Sequence, residues 1–220
     1  MTKIFIFFFF FVFCMGLMFV LIKIFKNKHP IPFTKNILSG EKGEQEVANL
    51  LRYVHRNNGY TIFNNVLLNG GTDKSVQIDH IIVGRSGLYL IETKNYKGKI
   101  YATDEKYWYQ QPQNKTAPIP FYSPEKQGLY HLYMLKETLG IKDIKHCHLI
   151  TVFPNETIIE NNSNSKVFHF KELVGEICSY RGNFFTDAKI KEICEKISTA
   201  NTLTPQNLKK HIQRLSVLYN

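Results

Sequence analysis

Asp79, Glu92 and Lys94 stand in the spacing Asp-x12-Glu-x-Lys, inside two apolar runs, Val76-Gln77-Ile78-Asp79-His80-Ile81-Ile82-Val83 and Gly87-Leu88-Tyr89-Leu90-Ile91-Glu92-Thr93-Lys94. Side chains alternate across a strand, so Glu92 and Lys94 share one face, and Gln77 and Asp79 share one face of the preceding strand. A hairpin of the two runs converges all four. Charges on a buried strand are costly unless paired or metal-bound, so the cluster is either a site or a structural ion pair. The chemistry open to it is phosphodiester hydrolysis. A divalent ion, Mg²⁺ or Mn²⁺, activates water there and is held by one or two carboxylates plus substrate oxygens. Asp79 and Glu92 supply the carboxylates, the Thr93 carbonyl is a further oxygen ligand, and Lys94 orients the attacking water or stabilises the phosphate in the transition state.

Two helices bring more polar groups to the same place. In the first, Glu44 falls three residues before Val47 and seven before Leu51, on the core-facing stripe. In a later one, Gln127 and His131 are four apart and continue through Leu135 to Leu139, again on the buried stripe, where both are candidates for positioning substrate. Gln77 is a third candidate for that role.

Each residue has a plainer reading. Asp79 can pair with Lys94 as a simple bridge, although that leaves Glu92 and Glu44 without a partner. Glu44 can be an acid near a helix N-terminus, favoured by the dipole. Gln77 can be an ordinary strand residue, and Gln127 and His131 ordinary helix packing. His80 faces away from Asp79 by alternation and reads as a core histidine. Trp108, between Tyr107 and Tyr109, can stack on bases but is better placed as a sheet anchor. Tyr96, Lys97 and Lys99 can meet phosphates or form an exposed turn. His146-Cys147-His148 cannot chelate together on a strand, because consecutive residues face opposite ways.

The periodicity predicts a helix from Gly40 to about Arg56, strands at Thr61–Leu68, Val76–Val83 and Leu88–Lys94, and short strands at Lys99–Thr103 and Tyr107–Gln111. A loop is expected from Pro112 to Pro124, a helix from Glu125 to about Gly140 and a strand from His146 to Phe153. Beyond Pro154 come a short strand at Val167–Phe170 and helices at Lys171–Ser179 and Asp187–Thr199. Thr204-Pro205 then starts a basic amphipathic helix through Leu218. This order is an α/β or α+β plan around one central mixed sheet.

Ile4 to Ile22 carries no charge, and such a length spans a bilayer's hydrocarbon core as a helix. One lysine precedes it, whereas Lys23, Lys26 and Lys28 follow, so the positive-inside rule predicts a single-pass anchor with the C-terminal domain in the cytoplasm. The four cysteines show no paired spacing, which argues against a disulfide framework or a zinc site. The formal net charge is +10, and the four lysines before His29 account for part of it, leaving +6 on the remainder. That surplus suits a polyanion, an anionic membrane surface or a merely solvated basic face.

The segments Gly40-Glu41-x-Gly43-Glu44, Gln77-Ile78-Asp79-His80-Ile81-Ile82-Val83, Gly87 to Gly98, Trp108 and Pro124-x2-Gln127 together resemble the NERD, or nuclease-related, domain. That family is similar to the PD-(D/E)xK, restriction-endonuclease-like nucleases. The resemblance implies a three-layer α/β/α core with a central mixed sheet, Mg²⁺ dependence and DNA processing, with Glu44, Asp79, Glu92 and Lys94 as a catalytic quartet. Gln127 matches the family's helix glutamine, whereas RecB-type relatives carry a tyrosine where this chain has His131.

The expected organisation is an anchor at 1–28, a linker at 29–39, a nuclease-like domain at 40–154 and a C-terminal strand and helical extension at 155–220. The expected function is a membrane-anchored, metal-dependent nuclease acting on nucleic acid, DNA first. The rivals are a non-catalytic nucleic-acid-binding or scaffold module, and a membrane-surface protein whose C-terminal helix lies on lipid.

Overall fold

The computed structural model describes residues 33–69, 74–140 and 145–218. The expected anchor at 1–28 lies outside them; among the described residues no helix is long and apolar enough to cross a membrane. Helix α1 spans Phe33–Asn58 and is followed by strands β1 (Thr61–Asn69), β2 (Ser75–Gly84), β3 (Gly87–Thr93), β4 (Lys99–Ala102), β5 (Tyr107–Gln111) and β6 (Ile119–Tyr122). Then come α2 (Pro124–Leu139), β7 (Cys147–Phe153), β8 (Ile158–Asn161), β9 (Val167–His169), α3 (Leu173–Ser179), α4 (Asp187–Ala200) and α5 (Pro205–Leu218). Residues 33–39, expected as linker, are helical, because α1 runs on through Gly40 and Gly43. By contacts, Gly40–Asn220 forms one compact unit.

The strands form two mixed sheets instead of one. The first has the order β1-β2-β3-β7-β9 and the second the order β6-β5-β4-β8. In the first sheet β1, β2 and β3 are antiparallel neighbours, and β7 and β9 add in parallel. Strand β6 escaped the sequence reading because Pro120 lies within it. Proline cannot donate to a ladder and is tolerated only at an edge, which is where β6 lies.

Apolar residues on the two faces of the first sheet form separate cores. On one side Val66, Ile78, Val83 and Leu90 pack with Leu135 and Leu139 of α2 and with Ile193 and Ile197 of α4. On the other, Ile82, Tyr89, Ile91 and Val152 pack with Val47, Leu51 and Val54 of α1 and with Leu173 and Ile177 of α3. Helices therefore cover both faces. The segment after Pro154 is no appendage, since it supplies β9 and two core-forming helices. Trp108, Ile100, Ala102 and Phe153 make a third cluster under the second sheet, which bears out Trp108 as an anchor.

Gly98 joins β3 to β4 with φ +95°, and a Cβ added there would lie 2.2 Å from the Gln111 carbonyl oxygen. Both the backbone angle and the backbone neighbour exclude a side chain. Gly98→Ala should therefore lose about 3 kcal/mol of unfolding free energy, read as a lowered urea midpoint.

Candidate functional site

The β2–β3 ladder stops at the pair His80↔Ile91. Beyond that pair the main-chain pairing gives way: the carboxylate of Asp79, one residue further on β2, accepts through Oδ2 the N–H of Thr93, two residues further on β3, at 2.8 Å. The β1–β2 ladder is interrupted at the same level. Asn65, with φ +54°, is skipped between the pairs Asn64↔His80 and Val66↔Ile78. Val76 and Ile78 before this break, and Ile81 and Val83 after it, all belong to one apolar cluster. Strict alternation therefore does not carry across Asp79, and the argument that His80 faces away from it fails, although His80 is a buried core residue as expected. Its ring Nδ1–H donates to the Asn64 side-chain oxygen at 2.8 Å, and burial lowers its pKa to about 4.

Glu92 and Lys94 lie at the end of β3 facing α2. Lys94 Nζ donates to Glu92 Oε1 at 2.6 Å and to Gln127 Oε1 at 3.1 Å. Burial works against the ammonium, but Glu92, Tyr96 and Asp79 outweigh it and hold Lys94 above its ordinary pKa. His131, one turn after Gln127, places Nδ1 at 3.6 Å from Glu92 Oε2, beyond hydrogen-bond range. Burial holds the ring below the usual histidine pKa despite Glu92, so it is neutral at neutral pH.

Glu44 arrives from the opposite helix. Gly43 is buried against the site strand: a Cβ there would meet Asn95 Cβ at 2.9 Å and Thr93 Cγ2 at 3.4 Å. The missing side chain lets α1 approach the Thr93–Asn95 backbone, and the next residue, Glu44, then faces Glu92 and Lys94. Because α1 begins at Phe33, Glu44 is deep in the helix, and the helix-terminus reading of this acid falls. Burial first, then Glu92, raise the Glu44 pKa. Asp79 is raised well above the usual carboxylate range by burial, Glu92 and Glu44, against the pull of Lys94 and the Thr93 N–H.

The fold thus gathers Glu44, Asp79, Glu92, Thr93, Lys94, Gln127 and His131. Gln77 lies two residues from Asp79, pairs with Leu67 on the neighbouring strand and makes none of these contacts. Among the described residues no three carboxylate, histidine or cysteine groups converge to enclose a metal ion by themselves. An open groove of about 620 Å³ lined by Arg85, Asp187, Lys191 and Glu195 holds none of the cluster, so cavity size does not mark the chemistry here.

Other candidates find partners elsewhere in the fold. His146 stacks on Phe184, and His148 stacks on Tyr89, which separates the two histidines as expected. Lys97 and Lys99 form ion pairs with Glu156 and Glu160. The sequence reading missed the part played by α5. His211 bonds the Ser75 hydroxyl at 2.8 Å, and Arg214 donates to the Ser75 carbonyl.

The nuclease-related domain model, NERD, matches residues 39–154. An uncharacterized protein of Bacillus anthracis is 27% identical over 180 residues, covering 80% of this chain and 83% of that one. A crystal structure of a protein of unknown function aligns over 77% of this chain and 76% of its own, at 12% identity and a TM-score of 0.31. Because the matched model takes in more than half of the chain, including Glu44, Asp79, Glu92, Lys94, Gln127 and His131, the protein belongs to the NERD, nuclease-related domain, family.

Proposed function

We propose that this protein is a metal-dependent nuclease with a restriction-endonuclease-like core, hydrolysing phosphodiester bonds in nucleic acid, DNA first. On this reading the N-terminal apolar segment anchors it to a membrane with the domain on the cytoplasmic side. The observation that carries the enzymatic reading is that Glu44, Asp79 and Glu92 lie near enough for their charges to act on one another, with one ammonium, that of Lys94, bonded to Glu92. Three carboxylates exceed what one lysine neutralises, and a divalent cation is what such a surplus suits.

The donor set fits Mg²⁺ or Mn²⁺. These ions need only one or two carboxylates, with water and substrate oxygens completing the shell, so the lack of a closed protein cage is no obstacle. Asp79, Glu92 and the Thr93 carbonyl would hold the ion. Thr93 Oγ1 is, in addition, buried without a hydrogen-bond partner. When bound, the metal supplies an activated water and neutralises charge on the phosphate.

The protein's own groups do the remaining work. Lys94 stays protonated and so acts as a cation, never as a base; two of its three donors are spent on Glu92 and Gln127, leaving the third for a phosphate oxygen or the attacking water. Gln127 fixes the direction of that donor. Glu44, whose raised pKa lies nearer neutrality, takes a proton from water more readily than an ordinary surface glutamate. His131 borders Glu92 as a neutral ring and offers a hydrogen bond to substrate, and Gln77, two residues before Asp79 on β2, is a further substrate contact on this reading.

Full-length protein is to be incubated with single-stranded, double-stranded and branched DNA and with RNA, with Mg²⁺, with Mn²⁺ and with EDTA. Cleavage is expected with either metal and none with EDTA. Salt-sensitive binding without cleavage under any divalent ion would instead mark a non-catalytic binding module.

A further inference from the structure

The second sheet has one face in the core and one in water. Ile100, Ala102 and Trp108 point inward and are fully buried, with Phe121 packed against them. The alternate positions carry Tyr101, Tyr107, Tyr109 and Tyr122. Tyr107, Tyr109 and Tyr122 are 44%, 42% and 39% exposed. They are neighbours across the strands: Tyr101 lies opposite Tyr109, and Tyr107 opposite Tyr122. Tyr107 and Tyr122 hold each other edge to face, their ring centres 6.3 Å apart. Lys99 Nζ is 4.9 Å from the centre of the Tyr101 ring, while also paired with Glu160, and Lys106 Nζ is 5.3 Å from that of Tyr107.

We infer that this tyrosine face is a binding platform for single-stranded nucleic acid, the bases stacking on the rings and the phosphates meeting the lysines. The inference rests on the nuclease reading above and names the form of substrate that its site receives. Three features select the occupant. Rings of this kind offer a flat π surface with a polar rim, which matches an unpaired base; a duplex keeps its base faces stacked inside and presents only edges and phosphates. Lysines beside the rings complement a polyanionic backbone and an aromatic base at once. Finally, both ends of the sheet's strands lie close along the chain to the site. Strand β4 starts five residues after Lys94, a reach of at most ~18 Å, and Ser123, directly after Tyr122, caps the helix whose Gln127 holds Lys94. Same-face residues along a strand are ~7 Å apart and neighbouring strands ~5 Å apart, so the four rings offer room for about two or three nucleotides.

The test is binding of a labelled single-stranded oligothymidylate, and separately of a duplex, to the full chain by fluorescence anisotropy in EDTA, where nothing is cut. Tyr107→Ala with Tyr109→Ala should weaken single-strand binding by about 100-fold and leave duplex binding unchanged, since each stacked base contributes on the order of tenfold. Tyr107→Phe with Tyr109→Phe, which keeps both rings, should bind as the native chain does. Equal binding by the alanine and native proteins, or equal loss for single strand and duplex, would overturn the platform. Loss in the phenylalanine variant as large as in the alanine one would do the same. Asp79→Asn should retain tyrosine-dependent binding. Failure to cut under any metal, with that binding intact, would therefore sink the nuclease reading and leave the platform standing.

Discussion

Asp79→Asn and Lys94→Ala should each lower metal-dependent cleavage by 100-fold or more, with far-ultraviolet circular dichroism unchanged. The size follows from what each group does. An electrostatic group preorganised toward developing charge is commonly worth that much, because the folded site has already met the cost of orienting it. Asp79 is fixed by the Thr93 N–H and Lys94 by Glu92 and Gln127, so neither has to be arranged when substrate binds. Asparagine keeps the shape and a carbonyl acceptor for Thr93 while removing the charge. Gln127→Ala should do less, on the order of tenfold, since it only aims Lys94. Initial rates at saturating Mg²⁺ distinguish these cases, and full activity in either main variant would refute the site.

How far the site could be read from the chain depends on what kind of contact each residue makes. Glu92 and Lys94 were legible because two residues on one strand share a face by covalent geometry alone, and Glu44 because a helix repeats every 3.6 residues. Asp79 was legible by type and less so by direction. The break in both ladders at Asn65 and Asp79 is a three-strand property, and alternation along one strand cannot anticipate it. The early start of α1 was hidden by Gly40 and Gly43, which read as a helix boundary because glycine weakens helices. Gly43 is there because Asn95 leaves no space for more. Strand β6 and the docking of α5 on Ser75 depend on partners far along the sequence, for which no local pattern exists.

The same two substitutions should move stability in opposite directions, which separates a metal site from a structural bridge. In EDTA at neutral pH, Asp79→Asn should raise the urea midpoint, and Lys94→Ala should lower the unfolding free energy by about 3–5 kcal/mol. Removing Lys94 leaves Glu92 buried beside two other acids with no counter-charge, the costly half of a broken ion pair. Removing the Asp79 charge does the reverse, because burial, Glu92 and Glu44 already oppose ionisation there. A carboxyl whose folded pKa is raised contributes its full stability below its unfolded value, near the ordinary 3.8, and loses it as pH rises through the folded value. The advantage of Asp79→Asn should accordingly be absent at pH 3.5, grow above pH 4 and level off once Asp79 is fully ionised. Adding Mg²⁺ at neutral pH should stabilise the native protein and not the Asp79→Asn variant, because an ion that binds only the folded state shifts the midpoint with its concentration. If Asp79 were merely the partner of Lys94, its replacement would destabilise the protein at neutral pH, and Mg²⁺ would move neither curve.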